Sequence, residues 1–263
     1  MIIKPFNGMF FALLLLAVSA IVALRLLLRN ADERRRSLVL IIICAVNIVG
    51  FFVYKFALSR DAEFLAISHI KHFNWFDELP LQLCNINMFI IPIGLMTRRR
   101  SLLGFSFFMA PLGALMAFMF PEPAFCGYSL LLPRMLGFYG THLLIFICGI
   151  SLATLGFYRP RLSDFPGILI AFSALSVAVH CVNLILRATV CPYADYFFTF
   201  PKNINILQLF WRWMPVPLLY LLPGMAILVT YMALVSLIFV IPDAVRAKRQ
   251  AQLPDPESAD VSK

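Results

Sequence analysis

The sequence predicts an all-α integral membrane protein, a polytopic bundle of seven transmembrane helices. Three observations support this fold class. Of the 263 residues, 62% are hydrophobic, and the mean hydropathy is +0.88. Several apolar runs reach about 20 residues, the length that crosses a bilayer. Only short polar loops separate these runs, which leaves no room for a sizeable soluble domain. We therefore expect one membrane domain over residues 1–241 and a polar tail over 242–263.

Hydropathy, together with charged residues and Pro or Gly between the runs, places the seven spans in order. All should be helical, because backbone polar groups in lipid must hydrogen bond within their own segment. The first run contains AVSA, a weak match to a signal-peptidase site, but it stays apolar up to Leu28 and is too long for a signal sequence. We expect it to be the first span. The predicted spans are residues 9–28, 38–58, 79–96, 102–120, 134–156, 168–186 and 218–241.

The distribution of basic residues predicts the orientation of the bundle. A net charge of +9 could indicate a nucleic-acid partner, but the basic residues occur in clusters between spans, such as RRR at 34–36 and 98–100. Membrane orientation explains these clusters better, so we expect no nucleic-acid partner. Because most basic residues share a side with the C-terminus, the positive-inside rule puts the N-terminus outside and the C-terminus in the cytoplasm. The tail at 242–263 should be disordered there.

The outer loop before the last span contains two further features. Trp211 and Trp213 predict an interfacial helix at the depth of the lipid headgroups. Cys191 in this loop and Cys126 in another outer loop could form a disulfide or stay as two free thiols, and the sequence leaves both alternatives open. The six cysteines show no C-x-x-C spacing. We therefore predict no metal site and no cofactor.

Polar groups inside the predicted spans are mostly neutral. The 13 acidic residues lie outside the spans or at their ends, which disfavours a proton-driven transporter, since such proteins usually need intramembrane carboxylates. The third span, by contrast, carries LQLCNIN. On a continuous helix its residues Pro80, Cys84, Asn87 and Ile91 would share one face, because their spacings are four, three and four residues. This arrangement would align Cys84 with Asn87.

Two further spans carry histidine. In the fifth, Tyr139 and His142 share a face, and in the sixth, His180 and Asn183 belong to a polar stripe at helical spacing. At about 1.5 Å per residue from the outer span ends, Cys84, His142 and His180 would lie roughly 8–12 Å deep. Three helices would then bring reactive groups to one level, where an outer-leaflet cavity could form.

Each of these residues also has a purely structural explanation. A buried cysteine in a helix is more often a small hydrophobic residue than a nucleophile. Asn85 and Asn87 could form interhelical hydrogen bonds, and His142 and His180 could each bind a neighbouring carbonyl. Convergence at one depth is the observation that favours a functional site, because intramembrane ionisable groups are functional candidates.

The motifs LPLQLCNINMF and FYGTHLLIF, in a seven-span chain of this size, resemble the YwaF-type bacterial integral membrane proteins. That family is similar to a eukaryotic transmembrane Cys/His acyltransferase that remodels ether-linked ethanolamine phospholipids, and more distantly to androgen-inducible hydrolases that pair Thr with His. The resemblance implies a multi-pass protein of the bacterial cytoplasmic membrane, with a nucleophile at Cys84 and a catalytic histidine at His142. Relatives often have His where this chain has Gln82, so a second candidate base is missing.

These residues suggest acyl transfer as the chemistry. Burial raises the pKa of a thiol, so Cys84 needs a base within hydrogen-bond reach. His142 would accept the proton, and the thiolate would attack a phospholipid ester to give an acyl-thioester, which a lysophospholipid hydroxyl or water resolves. Side-chain amides would stabilise the oxyanion. We prefer Asn87, which shares the predicted face of Cys84, over Asn85 and Gln82.

The remaining polar residues receive supporting roles. His180, Asn183 and Tyr139 would orient the base or position the substrate. Cations near the outer helix ends could contact the lipid phosphate, although such residues often only reach to the membrane surface. These cations are Lys55, Arg134 and Arg187. The expected partners are membrane phospholipids or lysophospholipids, and the oligomeric state is left open.

A non-enzymatic membrane protein is the main alternative. A carrier or receptor that binds a small amphipathic molecule in an outer cavity would use the same polar residues. It should tolerate Cys84→Ser, whereas a Cys-dependent acyltransferase should lose nearly all turnover while still folding. A third alternative, an assembly factor for other membrane proteins, would tolerate replacement of both Cys84 and His142.

Overall fold

A computed structural model describes residues 1–201 and 204–251, and within these ranges the chain is helical and forms no β-strand. The α-helices are α1 (Gly8–Leu27), α2 (Glu33–Leu58), α3 (Ala62–Ile67), α4 (Asn87–Thr97), α5 (Arg100–Met119), α6 (Pro133–Thr154), α7 (Phe165–Thr189), α8 (Asn205–Trp213) and α9 (Leu222–Ala251). Among the described residues, six helices are long and apolar enough to cross a membrane, namely α1, α2, α5, α6, α7 and α9. The prediction of an all-α membrane protein is confirmed.

The six long helices correspond to six of the predicted spans, with two changes at their ends. α2 begins at Glu33, because the basic cluster at 34–36 forms its first turn instead of a loop. α9 continues to Ala251, beyond the predicted end at residue 241, so the first part of the predicted tail is helical. The rest of that tail, 252–263, lies outside the described residues.

The third predicted span, 79–96, is not one continuous helix. Helix α4 has only 11 residues, which extend about 16 Å and cover roughly half of a hydrocarbon core ~30 Å thick. The preceding residues, 79–86, form bends and turns. Pro80 explains this break, because proline has no N–H to donate and disfavours helical backbone in the residue before it.

The break changes where Cys84 lies. The predicted helical face of Pro80, Cys84, Asn87 and Ile91 is wrong, because the first two precede α4. The amide of Asn87 donates to the carbonyl of Cys84, so the cysteine closes the turn that leads into α4. Irregular backbone at membrane depth is tolerated where it lines a cavity or is buried in protein, so this turn is expected at a cavity wall.

Helices α5 and α6 form the centre of the bundle. α5 buries a continuous run at 103–111, and α6 contacts α1, α2 and α5. Gly137 brings α6 very close to α2, since a Cβ at this position would lie 2.2 Å from Cγ of Tyr54. The helix that carries His142 is therefore in direct contact with the end of α2.

The loops collect at two ends of the bundle. At one end, Arg98 after α4 forms an ion pair with Glu33 at the start of α2, and Arg36 donates to the carbonyl of Leu155 after α6. At the opposite end, the N-terminal segment bonds to the loop before α6, where the Ile3 amide donates to the Tyr128 carbonyl. We call the second end the cavity end, because the candidate site opens there.

Candidate active site

A cavity of about 750 Å³ lies at the cavity end. Its wall combines the last turns of α2, the turns at 79–86, the first half of α6, and the chain between α7 and α9. Aromatic residues make up much of this wall, among them Phe51, Phe125, Phe138 and Trp211. The volume is within the range of small-molecule sites, and Cys84 and His142 both face it.

Cys84 and His142 are within hydrogen-bond distance. Sγ of Cys84 lies 3.3 Å from Nε2 of His142. The other ring nitrogen, Nδ1, lies 2.7 Å from the carbonyl oxygen of Phe138, one turn earlier in α6. Because a carbonyl oxygen can only accept, Nδ1 is the donor and carries the ring proton, and Nε2 presents its lone pair to the thiol. The pair therefore has the geometry of a nucleophile and its base.

Aromatic neighbours hold the imidazole of His142 in this orientation. Its centroid lies 4.6 Å from that of Phe138 and 6.3 Å from that of Phe118, and the residue is only 6% exposed. A ring fixed by one hydrogen bond and two aromatic contacts has little freedom to turn away from Cys84.

Helix α5 supports the turn that carries Cys84. A Cβ at Gly113 would lie 3.1 Å from the Cβ and 3.2 Å from the Cα of Cys84, tighter than ordinary contact. Glycine at this position lets the turn rest directly on α5. Cys84 is thus supported by a central helix of the bundle, although it lies in irregular backbone.

Of the three side-chain amides that were expected to stabilise an oxyanion, two line the cavity and one does not. Asn87 is fully buried, does not line the cavity, and donates from Nδ2 to the Leu83 carbonyl at 2.7 Å. Gln82 and Asn85 both line the cavity. Oε1 of Gln82 accepts from the amide of Phe197 at 3.2 Å, which leaves Nε2 as the donor end. Oδ1 of Asn85 is buried without a hydrogen-bond partner.

Asn183 forms hydrogen bonds to the cavity wall and none to Cys84 or His142. Its Nδ2 donates to the Tyr196 carbonyl and to Oγ1 of Thr199, both at 2.8 Å, and its Oδ1 accepts from the Tyr196 amide at 3.0 Å. Tyr196 lines the cavity. The side chain therefore fixes the backbone of a wall segment.

Tyr139 and His180 also contact residues of the cavity wall but do not themselves line the cavity. The Tyr139 hydroxyl donates to the Phe125 carbonyl at 3.0 Å, and the His180 ring lies 5.2 Å from that of Phe200. Phe125 and Phe200 line the cavity, whereas Tyr139 and His180 do not. The Nδ1 atom of His180 is buried without a partner.

Two of the three predicted phosphate contacts line the cavity, and Arg134 does not. Arg134 is 2% exposed and forms ion pairs of 2.8 Å with Asp61 and with Glu63. It lies over the Tyr128 ring, 4.6 Å from its centroid. These contacts give Arg134 a structural role that joins α6 to the start of α3.

Lys55 and Arg187 do line the cavity, each with partners of its own. Lys55 forms an ion pair with Glu78. Arg187 donates to the Ala194 carbonyl at 3.1 Å and lies 4.2 Å from the centroid of the Phe200 ring. Cys126 and Cys191, for which a disulfide was one alternative, are both free.

Two residues of the cavity were not singled out in the sequence. Glu78 pairs with Lys55, and its position directly before LPLQLC was the available signal. The Tyr196 hydroxyl accepts from the Leu79 amide and donates to the Phe76 carbonyl, both at 2.8 Å, which clamps the segment before Cys84. Burial raises the pKa of the Tyr196 phenol, so it stays a neutral donor at neutral pH.

Among the described residues, no group of three or more His, Cys, Asp or Glu side chains could hold a metal ion. The geometry instead presents a thiol, an imidazole base and side-chain amides in an aromatic cavity. A thiol, an imidazole base and side-chain amides are the kinds of group that acyl transfer uses.

The fold and this cavity define a multi-pass membrane protein with a Cys/His pair in a cavity at one end of the bundle. Comparison with protein families identifies the family, because the model of the TMEM164 family matches residues 5–240. The chain belongs to the TMEM164 family. No curated protein and no solved structure matched it. The resemblance to YwaF-type proteins is not part of this match and stays a prediction.

Proposed function

We propose that this protein is a membrane acyltransferase or lipid hydrolase that acts on acyl esters of phospholipids or lysophospholipids. One observation carries the proposal: Sγ of Cys84 lies 3.3 Å from Nε2 of His142, while Nδ1 bonds to the Phe138 carbonyl at 2.7 Å. A structural cysteine needs no base, whereas this one faces a histidine lone pair inside a cavity.

The first half of the reaction would form a thioester. Nε2 of His142 accepts the proton of the Cys84 thiol as Sγ bonds to the ester carbonyl carbon. The tetrahedral intermediate then collapses, and the bond from carbon to the ester oxygen breaks. The leaving glycerol oxygen takes the proton from Nε2, which releases a lysophospholipid and leaves the acyl group on Cys84.

The second half would transfer the acyl group. A lysophospholipid hydroxyl, or water in hydrolysis, loses its proton to Nε2 as its oxygen attacks the thioester carbon. The carbon–sulfur bond breaks, and the Cys84 thiolate recovers its proton from His142. The acyl donor and acceptor thus use the same two residues in turn.

The side-chain amides that line the cavity are the best candidates to stabilise the oxyanion. Gln82 is the strongest candidate. The Phe197 amide binds Oε1 of its side chain, so Nε2 remains as the donor for the oxyanion. Asn85 lines the same wall. Asn87 becomes the weaker candidate, since its amide bonds to the turn that contains Leu83.

The location of the site in the membrane follows from the positive-inside rule. The cavity end is the end that holds the N-terminal segment, so an outside N-terminus puts the cavity in the outer leaflet of a bacterial cytoplasmic membrane. Phospholipid ester groups lie just below the headgroups there. Arg187 at the cavity wall is the preferred contact for the lipid phosphate, because Lys55 is engaged by Glu78.

The proposal is tested by turnover of a phospholipid with a labelled acyl chain in purified, lipid-reconstituted protein. Cys84→Ser and His142→Asn should each lower the rate by about 10³-fold or more. Cys181→Ser is the matched control, because Cys181 is an exposed cysteine on α7 away from the cavity. Full turnover in folded Cys84→Ser would contradict the Cys/His mechanism, and no turnover in the folded parent would favour a carrier, a receptor or an assembly factor instead.

A further inference from the structure

The cavity holds more charge than an acyl-transfer site for neutral esters requires. Six charged side chains line it, and four of them are acidic: Lys55, Asp77, Glu78, Glu122, Arg187 and Asp195. The two cations lie at different places, since Lys55 is at the end of α2 and Arg187 near the end of α7. Their effects on the Cys84–His142 pair therefore differ.

The fold links Lys55 to both residues of the Cys84–His142 pair. It belongs to the part of α2 that Gly137 holds against α6, the helix of His142. Its partner Glu78 lies in the segment that leads directly to Cys84. Lys55, Cys84 and His142 all line the same cavity.

The ammonium group of Lys55 is fixed in the cavity wall. The residue is 7% exposed, and Nζ lies 4.6 Å from the centroid of the Tyr54 ring and 5.4 Å from that of Phe51. Glu78 holds it from the other side. A cation with two aromatic faces and one carboxylate around it cannot extend into bulk water, so its charge is weakly screened.

We propose that Lys55 supports the nucleophile electrostatically: its ammonium group stabilises the thiolate of Cys84, and the Glu78 carboxylate limits the strength of this effect. Lys55 acts through Cys84 and does not touch the acyl group. This inference rests on the reactive thiolate of the proposed function, but it is measured without any lipid.

The two members of the ion pair are expected to have opposite effects. Removing the charge of Lys55 takes a cation away from Cys84, so the thiolate becomes less stable. Removing the charge of Glu78 leaves the cation unopposed, so the thiolate becomes more stable. A general loss of structure would change both variants in the same direction, which makes the sign of the two changes the deciding observation.

The experiment measures the rate at which iodoacetamide alkylates Cys84 between pH 6 and pH 10, read by mass spectrometry of the Cys84 peptide in the full chain. Lys55→Gln should slow alkylation about 10-fold at pH 8 and move the profile up by about one pH unit. Glu78→Gln should speed alkylation and move the profile down. Lys71→Gln, which removes an exposed lysine of the loop after α3, is the charge-matched control and should leave the profile unchanged.

Lys55→Arg should restore most of the parent profile, since it keeps the charge. Shifts in the same direction for Lys55→Gln and Glu78→Gln, or a Lys55→Gln profile equal to that of Lys71→Gln, would overturn the inference. If Lys55→Gln does not fold, Glu78→Gln decides alone, because slower or unchanged alkylation contradicts it. Opposite shifts without acyl transfer would uphold this inference and reject the proposed function.

Discussion

A histidine can act as a base only if its lone pair lies on the nitrogen that faces the acid, and here a backbone carbonyl makes that choice. The Phe138 carbonyl accepts from Nδ1 of His142, which leaves Nε2 for Cys84. Phe138 also contacts the ring with its own side chain. The sequence shows that residues 138 and 142 are one helical turn apart, but it does not show that this carbonyl is the partner.

Gln82 gives the sharpest test of the oxyanion proposal. Gln82→Glu keeps an oxygen to accept from the Phe197 amide and replaces the Nε2 donor by a second acceptor. We expect the acyl-transfer rate to fall about 10²-fold, because one donor to the oxyanion is lost. The labelled-phospholipid assay measures the rate, and thermal unfolding in detergent should show a melting temperature near that of the parent.

Two further variants show whether a lower rate in Gln82→Glu comes from the lost donor or from the added charge, and whether Asn87 is the donor instead. Gln82→Met has a similar volume without charge, so a comparable loss in this variant excludes the added carboxylate as the cause. Asn87→Ala should reduce stability more than the rate of the folded protein, because Asn87 is fully buried and lies off the cavity. Full activity in Gln82→Met with a lost reaction in Asn87→Ala would restore Asn87 as the donor.

The sequence predicted which residues could be functional more easily than it predicted which residues they contact. Cys84 and His142 were named from their motifs, and the structure brings them together. Arg134 was one of three candidate contacts for the lipid phosphate, yet it pairs with Asp61 and Glu63. Those acidic residues lie around α3, a short helix whose path depends on tertiary contacts that hydropathy does not report.

At the scale of elements, the broken third span determines where Cys84 lies. A continuous helix from 79 to 96 would hold Cys84 in regular backbone with its amide bonded inside the helix. The turns at 79–86 instead bring Cys84 against Gly113 of α5 and present Gln82 and Asn85 to the cavity. Pro80 was visible in the sequence, but a hydropathy average over the whole run does not register one missing donor.

The contact between α2 and α6 supports a prediction with a control on the same helix. Gly137→Ala would put a Cβ 2.2 Å from Cγ of Tyr54, so the two helices must separate. We expect a loss of about 1–3 kcal/mol in stability, seen as a lower melting temperature in detergent. Lipid turnover should fall as well, because Tyr54 lines the cavity.

Gly140→Ala is the matched control. A Cβ there meets nothing within 4 Å, and alanine favours helical backbone over glycine. Its melting temperature should equal or slightly exceed that of the parent. Equal melting temperatures for both variants would mean that the two helices are not held as closely as the structure has them.

At the scale of the whole molecule, one end of the bundle contains the cavity and the other is rich in basic residues. The ion pair of Arg98 with Glu33 lies at the basic end, and the cavity with Cys84 lies toward the other. The sequence predicted this polarity from charge alone. It did not predict how far the chain at 190–201 returns over the cavity, because that segment is held by side chains such as Asn183.

The orientation predicts which surface residues can be labelled from outside. In intact cells, Lys71→Cys in the loop after α3 should react with a membrane-impermeant maleimide, whereas Arg29→Cys after α1 should react only after permeabilisation. Both parent residues are exposed. A Cys126→Ser background lowers reaction at native outer-loop thiols. The reverse pattern would put the cavity on the cytoplasmic side.

The proposed reaction requires that Cys84 carry an acyl group as a thioester. The most direct measurement is the intact mass of purified protein after incubation with a defined phospholipid, before and after neutral hydroxylamine. We predict a mass increase equal to one acyl chain, removed by hydroxylamine, present in the parent and in Cys181→Ser, and absent from Cys84→Ser. Turnover of phospholipid by the parent with no such adduct, or an adduct that persists in Cys84→Ser, would contradict the thioester mechanism.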